Sequence, residues 1–162
     1  MLSPDRRLFL TLLAGTLAAC GFAPAYAPGG PAAGLQGSIR AADPGDKNAF
    51  DLVERLEERL GRPDAPRYSL AYTIRTDEVG IGITTSNAIT RYTLTGRIDW
   101  TLSDATGARL AGGRVESFTS YSATGSTVAG LAAEEDAARR LMRLLADQIV
   151  TRLIGASAQW AA

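Results

Sequence analysis

Few side chains in this sequence can carry out covalent or acid–base chemistry. Its 162 residues contain no histidine, one cysteine, Cys20, and one lysine, Lys47. Without histidine there is no histidine triad and hardly any route to a zinc site. A single cysteine forms neither an internal disulfide nor a CxxC motif. The cluster of carboxylates from Glu134 to Asp136 has no second group of residues that could complete a metal site. It lies near a predicted helix start, where negative charge interacts favourably with the helix dipole. We therefore predict no enzyme, no metal site and no cofactor.

Four arginines are the best candidates for binding an anionic ligand. They are Arg75, Arg91, Arg97 and Arg114. Each lies within or at the end of a predicted strand, so several can line up on the solvent-exposed face of one sheet. A guanidinium donates two parallel hydrogen bonds to a phosphate or carboxylate. The alternative for any one arginine is an ordinary solvated strand face, with cross-strand partners such as Asp99 and Glu116. As a group, the four are candidate contacts for an anionic lipid.

The stretch TDEVGIGITTSNA carries aliphatic side chains among glycine, threonine and serine. They are Val79, Ile81 and Ile83. If the stretch is a flexible loop, its exposed aliphatic side chains predict a surface for a partner. The alternative is that these residues extend the preceding strand and pack on the sheet. The sequence leaves both interpretations open.

The chain opens with a pattern typical of export. A short positive segment, MLSPDRR, precedes the apolar run LFLTLLAGTLAA. As a helix this run spans about 18 Å, too short for a bilayer core of about 30 Å. Residues 1–19 are therefore predicted to be a signal peptide and not a transmembrane anchor. The segment DRRLFLT resembles a twin-arginine export signal in part, which leaves open whether export follows the twin-arginine or the Sec route.

The four residues that end this run, LAAC, resemble the lipobox of bacterial lipoproteins. That resemblance implies that the Cys20 sulfur receives diacylglycerol, that cleavage occurs before it, and that the new amine is acylated, with palmitate-type chains. Several acyl chains together anchor a protein stably. Gly21 follows the cysteine where an aspartate would signal retention, which favours the periplasmic side of the outer membrane. The alternative is an ordinary signal peptide with a coincidental cysteine.

The remaining sequence predicts a tether followed by one domain. Residues 20–34 are rich in proline and glycine and are predicted to be a flexible tether. The segment LQGSIRAAD is predicted to hold a short strand. A helix then starts after Asp46, runs from Lys47 to Leu60 and stops at Gly61. The segment RYSLAYTIR alternates as a half-buried strand.

Two further strands and a long helix complete the domain. TRYTLTGRIDWTLSD alternates over eleven residues and turns at SDATGA into the return strand RLAGGRVESFTSY. Gly112 and Gly113, together with the differing parity of Val115 and Phe118, predict a bulge or bend there. A long helix follows and is predicted to end at Gly155. Residues 156–162 are predicted to be a disordered tail.

The order of these elements, β-α-β-β-β-α, defines the predicted fold class. It is an α+β domain over residues 35–155, an α/β sandwich in which a four-stranded, mostly antiparallel sheet carries both helices on one face. The charges of the chain balance, 17 basic against 17 acidic. No basic face for nucleic acid is therefore expected.

Together these features resemble the LptE family of lipopolysaccharide-assembly lipoproteins. The resemblance rests on the lipobox followed by CGF, the proline-rich tether, and the order of the stretch from NAITRYTLTGRIDW to DAARRLMRLLADQIVTRL. It implies a non-enzymatic outer-membrane lipoprotein that plugs the lumen of a large β-barrel, the translocon LptD, assists its assembly and helps deliver lipopolysaccharide to the cell surface. The family's lipid contacts are basic side chains whose positions cannot be matched one by one here. The four arginines therefore remain a hypothesis from chemistry.

Two other functions stay open at this point. The first is an auxiliary lipoprotein of an ABC-type lipid-transport system, with the same anchor but a different partner. The second is a lipid-anchored enzyme, which would need a deep pocket with converging ionisable groups.

Overall fold

One mixed sheet of four strands organises the computed structural model, which describes residues 26–28, 30, 32–84 and 88–160. The strands are β1 (Ile39–Ala41), β2 (Tyr68–Ile83), β3 (Ile89–Asp104) and β4 (Arg109–Ser122). The helices are α1 (Lys47–Leu60) and α2 (Thr127–Ser157). The strands lie in the order β1-β2-β3-β4, with β1 parallel to β2 and the other pairs antiparallel. The predicted fold class and element order are thus confirmed. Cys20 and the predicted signal peptide lie outside the described residues.

Both helices pack on the same face of the sheet. Alternate residues of β3, among them Ile98 and Leu102, are fully buried and join one core with Leu141 and Leu145 of α2. Gly96 of β3 lies directly beneath α2. A Cβ atom at this glycine would lie 2.9 Å from Leu145 Cδ1. The absence of a side chain at Gly96 therefore lets α2 lie directly on β3.

Helix α1 begins and ends as its sequence predicts. The Asp46 side chain accepts a hydrogen bond of 2.8 Å from the Ala49 N–H and so satisfies one of the free donors of the first turn. Gly61 takes φ = 77°, a conformation that glycine adopts without strain, and its N–H donates to the Glu57 carbonyl. These two caps fix the length of the helix.

We expect replacement of Asp46 by alanine to lower the free energy of unfolding by about 1 kcal/mol, because the Ala49 N–H loses its acceptor. Thermal unfolding followed by circular dichroism measures the change. Asp64→Ala, which removes an aspartate outside the helices, is the matched control and should change stability by less than about 0.5 kcal/mol. Equal effects of the two substitutions would contradict the capping role.

A polar network joins α1 to α2 outside the core. Arg55 donates to both oxygens of Asp147, at 3.1 and 3.0 Å, and to Glu58 at 2.8 Å. Arg143 of α2 reaches the Glu58 carboxylate at 3.1 Å. The hydrogen bond from Arg55, supported by that from Arg143, lowers the pKa of Glu58 below its ordinary value of 4.5. The network therefore favours the ionised form of Glu58 in the folded domain.

This lowered pKa predicts a specific loss of stability in acid. Glu58 stabilises the fold while it is ionised, above its unfolded pKa of about 4.5, and that contribution is lost as pH falls through the lower folded pKa. We expect the stability of Glu58→Gln to depend less steeply on pH below 4.5 than that of the wild type. Urea unfolding at a series of pH values measures this. Parallel pH profiles for the two proteins would contradict the assignment.

The C-terminal end differs from its prediction. Helix α2 continues past Gly155 to Ser157, whose side chain is buried, and Trp160 packs edge-on against Tyr68 with ring centroids 5.0 Å apart. The prediction of a disordered tail from residue 156 is therefore wrong for residues 156–160. The partly buried indole ring packs against the core and so offsets the cost of a glycine within a helix, about 1 kcal/mol.

The entry to the domain also differs from its prediction. Ala32, placed in the tether by sequence, is fully buried, and so is Leu35. Leu35 lies in a run of turns before β1 and not within the strand. The last residues of the predicted tether therefore pack against the domain.

The irregularity of β4 lies in a different place from the one predicted. Gly112 and Gly113 pair in regular register with Thr101 and Trp100. The register shift occurs between Leu102 and Ser103 of β3, where β4 passes from Ala111 to Arg109, so the extra residue is Leu110 of β4, next to the turn. Phe118 lies opposite Thr95 and is 68% exposed, so its different parity from Val115 reflects the other face of the sheet.

Candidate functional site

The face of the sheet opposite the helices carries mainly charged and hydroxyl side chains. On β2 and β3 they are Thr73, Arg75, Asp77, Thr95, Arg97, Asp99 and Thr101, and on β4 they are Arg114, Glu116 and Ser120. We call this surface the open face, because both described helices lie on the other side. Its side chains alternate with the buried ones along each strand, as the sequence predicts. All four predicted arginines share this face.

Arg97 lies at the centre of one cross-strand row. The register places Arg75 on one side of it and Glu116 on the other. Its Nε lies 3.2 Å from a Glu116 oxygen and its Nη1 lies 4.0 Å from Asp77. Two carboxylates thus hold Arg97. This agrees with the alternative prediction that such an arginine pairs with cross-strand acids on a solvated face.

Arg114 is paired even more closely in the neighbouring row. Its guanidinium donates to both oxygens of Asp99, at 2.8 and 3.2 Å. The hydrogen bond from Arg114 lowers the pKa of the Asp99 carboxyl below its ordinary value of 3.8, with a smaller contribution from Arg75. This bidentate pair makes Arg114 part of the sheet's own structure and leaves it less free to bind a ligand.

Arg75 and Arg91 differ from the other two arginines. Among the described residues, neither has a carboxylate within the 4.0 Å limit of an ion pair. Arg75 lies directly opposite Arg97, whose own charge is balanced by Glu116 and Asp77. Arg91 lies opposite Ser122, six residues from Arg97, which places it about 20 Å away along the strand. The structure thus gathers Arg75, Arg97 and Arg114 and leaves Arg91 apart.

A shallow depression of about 490 Å³ lies on the open face, at the end of the sheet near the β3–β4 turn. Its lining includes Thr73, Asp99, Arg114 and Arg109. The Arg109 guanidinium lies above Gly112, where a Cβ atom would come within 2.5 Å of it. Sequence reasoning missed Arg109, because only the register shift after Leu102 brings it onto this face. The glycine pair was the available signal, since glycine in a strand often marks a close approach.

Exposed aliphatic side chains lie at the opposite end of the sheet, near the connection between β2 and β3, which we call the distal end. Val79, Ile81 and Ile89 are 59%, 56% and 42% exposed. We call Val79 and Ile81 the distal patch, because Ile89 lies against Gly80 on the helix-bearing side of the sheet. The loop interpretation of Val79, Ile81 and Ile83 is corrected, because all three belong to β2. The alternative interpretation was right that these residues extend the strand. It was wrong that they pack on the sheet, because Val79 and Ile81 remain exposed.

The carboxylates of α2 are not at its first turn. Glu134, Glu135 and Asp136 begin at the eighth residue of the helix, whose first turn holds no acid. The dipole explanation is therefore wrong for them, whereas Asp136 does pair with Arg140 at 2.9 Å. Glu134 and Glu135 line a cleft of about 340 Å³ beside Glu78. No cluster of three or more potential metal ligands occurs in the part of the chain that the structure describes.

These features define the class of protein. The domain is a small α+β sandwich with one polar, uncovered sheet face, and within residues 26–28, 30, 32–84 and 88–160 no helix is long and apolar enough to cross a bilayer. A family profile described as LptE, lipopolysaccharide-assembly, matches residues 38–153. The chain belongs to this family, whose role is lipopolysaccharide assembly.

Solved structures share the fold. A lipoprotein from Caulobacter crescentus CB15 is 25% identical with a TM-score of 0.66, over 79% of this chain and 96% of that one. The rare lipoprotein B of Shewanella oneidensis is 13% identical with a TM-score of 0.59, over 77% and 98%. A minor lipoprotein of Acinetobacter baumannii is 22% identical with a TM-score of 0.51, over 75% and 90%. The latter two likenesses concern the fold alone. No curated protein sequence matches the chain.

Proposed function

We propose that this chain is an outer-membrane lipoprotein, anchored through Cys20, that plugs the lumen of the lipopolysaccharide translocon barrel. In that position it helps the barrel to assemble and supports the insertion of lipopolysaccharide at the cell surface. Membership of the lipopolysaccharide-assembly family supports the general role. The partner, the anchor and the position in the barrel are our proposals.

The single observation that carries the barrel partner is the open face. A β-sheet face without a covering layer exposes either apolar side chains, which a partner covers, or polar ones, which contact water or another polar surface. Here a row of threonines and cross-strand ion pairs offers donors and acceptors over three long strands. The lumen of an outer-membrane barrel is itself polar. The open face therefore suits a wall of hydrogen-bonding side chains.

The arginines without an acidic partner are the proposed lipid contacts. Arg75 and Arg91 can each donate two hydrogen bonds to a phosphate without first breaking an ion pair on the sheet. Arg97 and Arg114 would have to leave Glu116 and Asp99. We therefore rank Arg75 and Arg91 above Arg97 and Arg114 as contacts to the anionic groups of lipopolysaccharide.

The distal patch is the proposed apolar contact to the partner. Val79 and Ile81 lie at the end of the sheet farthest from the chain's entry at β1. Exposed aliphatic side chains of this kind gain free energy when a partner covers them, about 25 cal/mol per Å² of apolar surface. Ile83, the last residue of β2, keeps its predicted role as a contact to the partner.

A pull-down from detergent-solubilised outer membranes tests the proposal. Tagged protein should recover a large β-barrel, and depletion of the chain should lower surface lipopolysaccharide. Recovery of an inner-membrane transporter complex would favour the auxiliary lipoprotein of an ABC-type system. Recovery of the chain alone, with unchanged surface lipopolysaccharide, would refute the barrel partner.

The anchor has a separate test. Mass spectrometry of the mature N-terminus should find a diacylglyceryl thioether and acylated amine at Cys20. An unmodified Cys20, or an uncut residue before it, would refute the lipoprotein assignment whatever the pull-down shows.

A further inference from the structure

Strand β4 forms one edge of the sheet. It pairs with β3 on one side only, and no described strand lies on its other side. Along such a strand, successive carbonyl groups point alternately to the paired and the free side. A free edge of fourteen residues would ordinarily template the addition of another strand, which is a route to aggregation.

Side chains of α2 reach over this edge and occupy its carbonyl groups. Gln148 donates to the Glu116 carbonyl at 3.2 Å, and Arg152 donates to the Arg114 carbonyl. Arg140 donates to the Ser120 carbonyl at 3.5 Å, the longest of the three bonds. We call Arg140, Gln148 and Arg152 the edge ladder.

The spacing of the ladder follows from the geometry of the two elements. Its members lie along the series 140, 144, 148, 152 on α2, and their acceptors along the series 120, 118, 116, 114 on β4. Four helical residues rise about 6 Å, and two strand residues advance about 6.6 Å. The helix therefore presents one side chain to each outward carbonyl in turn.

One position of the series is occupied by an apolar residue. Leu144 stands where the series predicts a donor, and Phe118 is the strand residue that corresponds to it. Leu144 is 45% and Phe118 68% exposed. The ladder therefore has a single apolar gap at its centre, between Arg140 and Gln148.

We propose that the edge ladder prevents β4 from pairing with β4 of a second copy of this chain. A second strand needs the carbonyl groups that the ladder already occupies and must displace two arginines and a glutamine to reach them. A second copy is the partner that the gap fits, because an antiparallel β4–β4 pair centred on Phe118 places the two phenyl rings side by side, a favourable cross-strand pair. Blocking of a free edge by charged side chains is a known way to keep a sheet protein monomeric.

The test removes the ladder from the purified full chain in mild detergent. We expect the triple variant R140A/Q148A/R152A to form a dimer by size-exclusion chromatography with light scattering, whereas the wild type stays monomeric. Adding Phe118→Lys to the triple variant should restore the monomer, since a lysine at the centre of the edge repels its own copy. The control R62A/R139A removes the same charge at two arginines outside the edge ladder and should stay monomeric.

A folded triple variant that stays monomeric at every concentration would overturn the proposal, as would dimers that persist with Phe118→Lys. Circular dichroism reports whether the variants fold. If the triple variant does not fold, Gln148→Ala and Arg152→Ala carry the test separately, each with and without Phe118→Lys. Folded single variants that show no Phe118-dependent association would equally overturn it.

Discussion

Replacing Arg75 and Arg91 together with alanine is expected to lower the binding of lipopolysaccharide by the purified chain roughly a hundredfold or more. Each substitution removes a charge-assisted hydrogen bond to a phosphate, which is worth about 1.5–3 kcal/mol. A loss of about 1.4 kcal/mol raises the dissociation constant tenfold. Neither arginine forms an ion pair among the described residues. The free energy of unfolding should therefore change by less than about 0.5 kcal/mol.

Titration with lipopolysaccharide in detergent measures the binding, and thermal unfolding measures the stability. The double variant R62A/R139A removes the same charge from other parts of the surface and is the matched control. Substitution of Arg114 gives a second comparison, because Asp99 already occupies its guanidinium in the free chain. Equal losses from the control and from R75A/R91A would mean that general charge, and not these two positions, attracts the lipid.

Replacing Leu145 with alanine is expected to lower the free energy of unfolding by about 2–5 kcal/mol. Its side chain is fully buried and lies against β3 at Gly96, which has no side chain to fill the space left behind. Domains of this kind have a total stability of about 5–15 kcal/mol, so the loss is a large part of it. Urea unfolding at neutral pH measures the change directly.

The same helix provides the control for this substitution. Leu131→Ala removes the same atoms from a side chain that is 58% exposed and should cost less than about 0.5 kcal/mol. A small effect at Leu145, or equal effects at the two leucines, would contradict the close packing of α2 on β3.

Local patterns were sufficient to predict most of the fold. The alternation of Leu94, Ile98 and Trp100 defines β3, because a period of two places them on one face whatever lies around them. Asp46 and Gly61 mark the ends of α1, since caps act within one turn. In both cases the interactions that decide the structure lie within a few residues of one another.

Contacts between distant residues account for most of the errors. Trp160 keeps the chain ordered past Gly155 by packing on Tyr68, more than ninety residues away. The position of Val79 and Ile81 in a strand depends on pairing with β3, which outweighs the weak strand preference of the glycines beside them.

The candidate site was predictable in its parts but not in its arrangement. Alternation predicted that several of the four arginines share one face, and in the structure all four do. Which of them have carboxylate partners depends on register, since Arg97 meets Glu116 only because of how the β3–β4 turn aligns the strands. Arg109 joins the face through the register shift after Leu102, for which the pair Gly112 and Gly113 was the local signal.

Site-specific photo-crosslinking from the open face tests the proposed barrel partner most directly. A photoreactive amino acid at Thr95, in the middle strand of that face, is introduced into the chain in living cells, and its adducts are identified by mass spectrometry. The account predicts an adduct with the lumen-facing wall of the lipopolysaccharide translocon barrel. Adducts only with an inner-membrane or periplasmic protein, or no adduct in cells that assemble lipopolysaccharide normally, would contradict it.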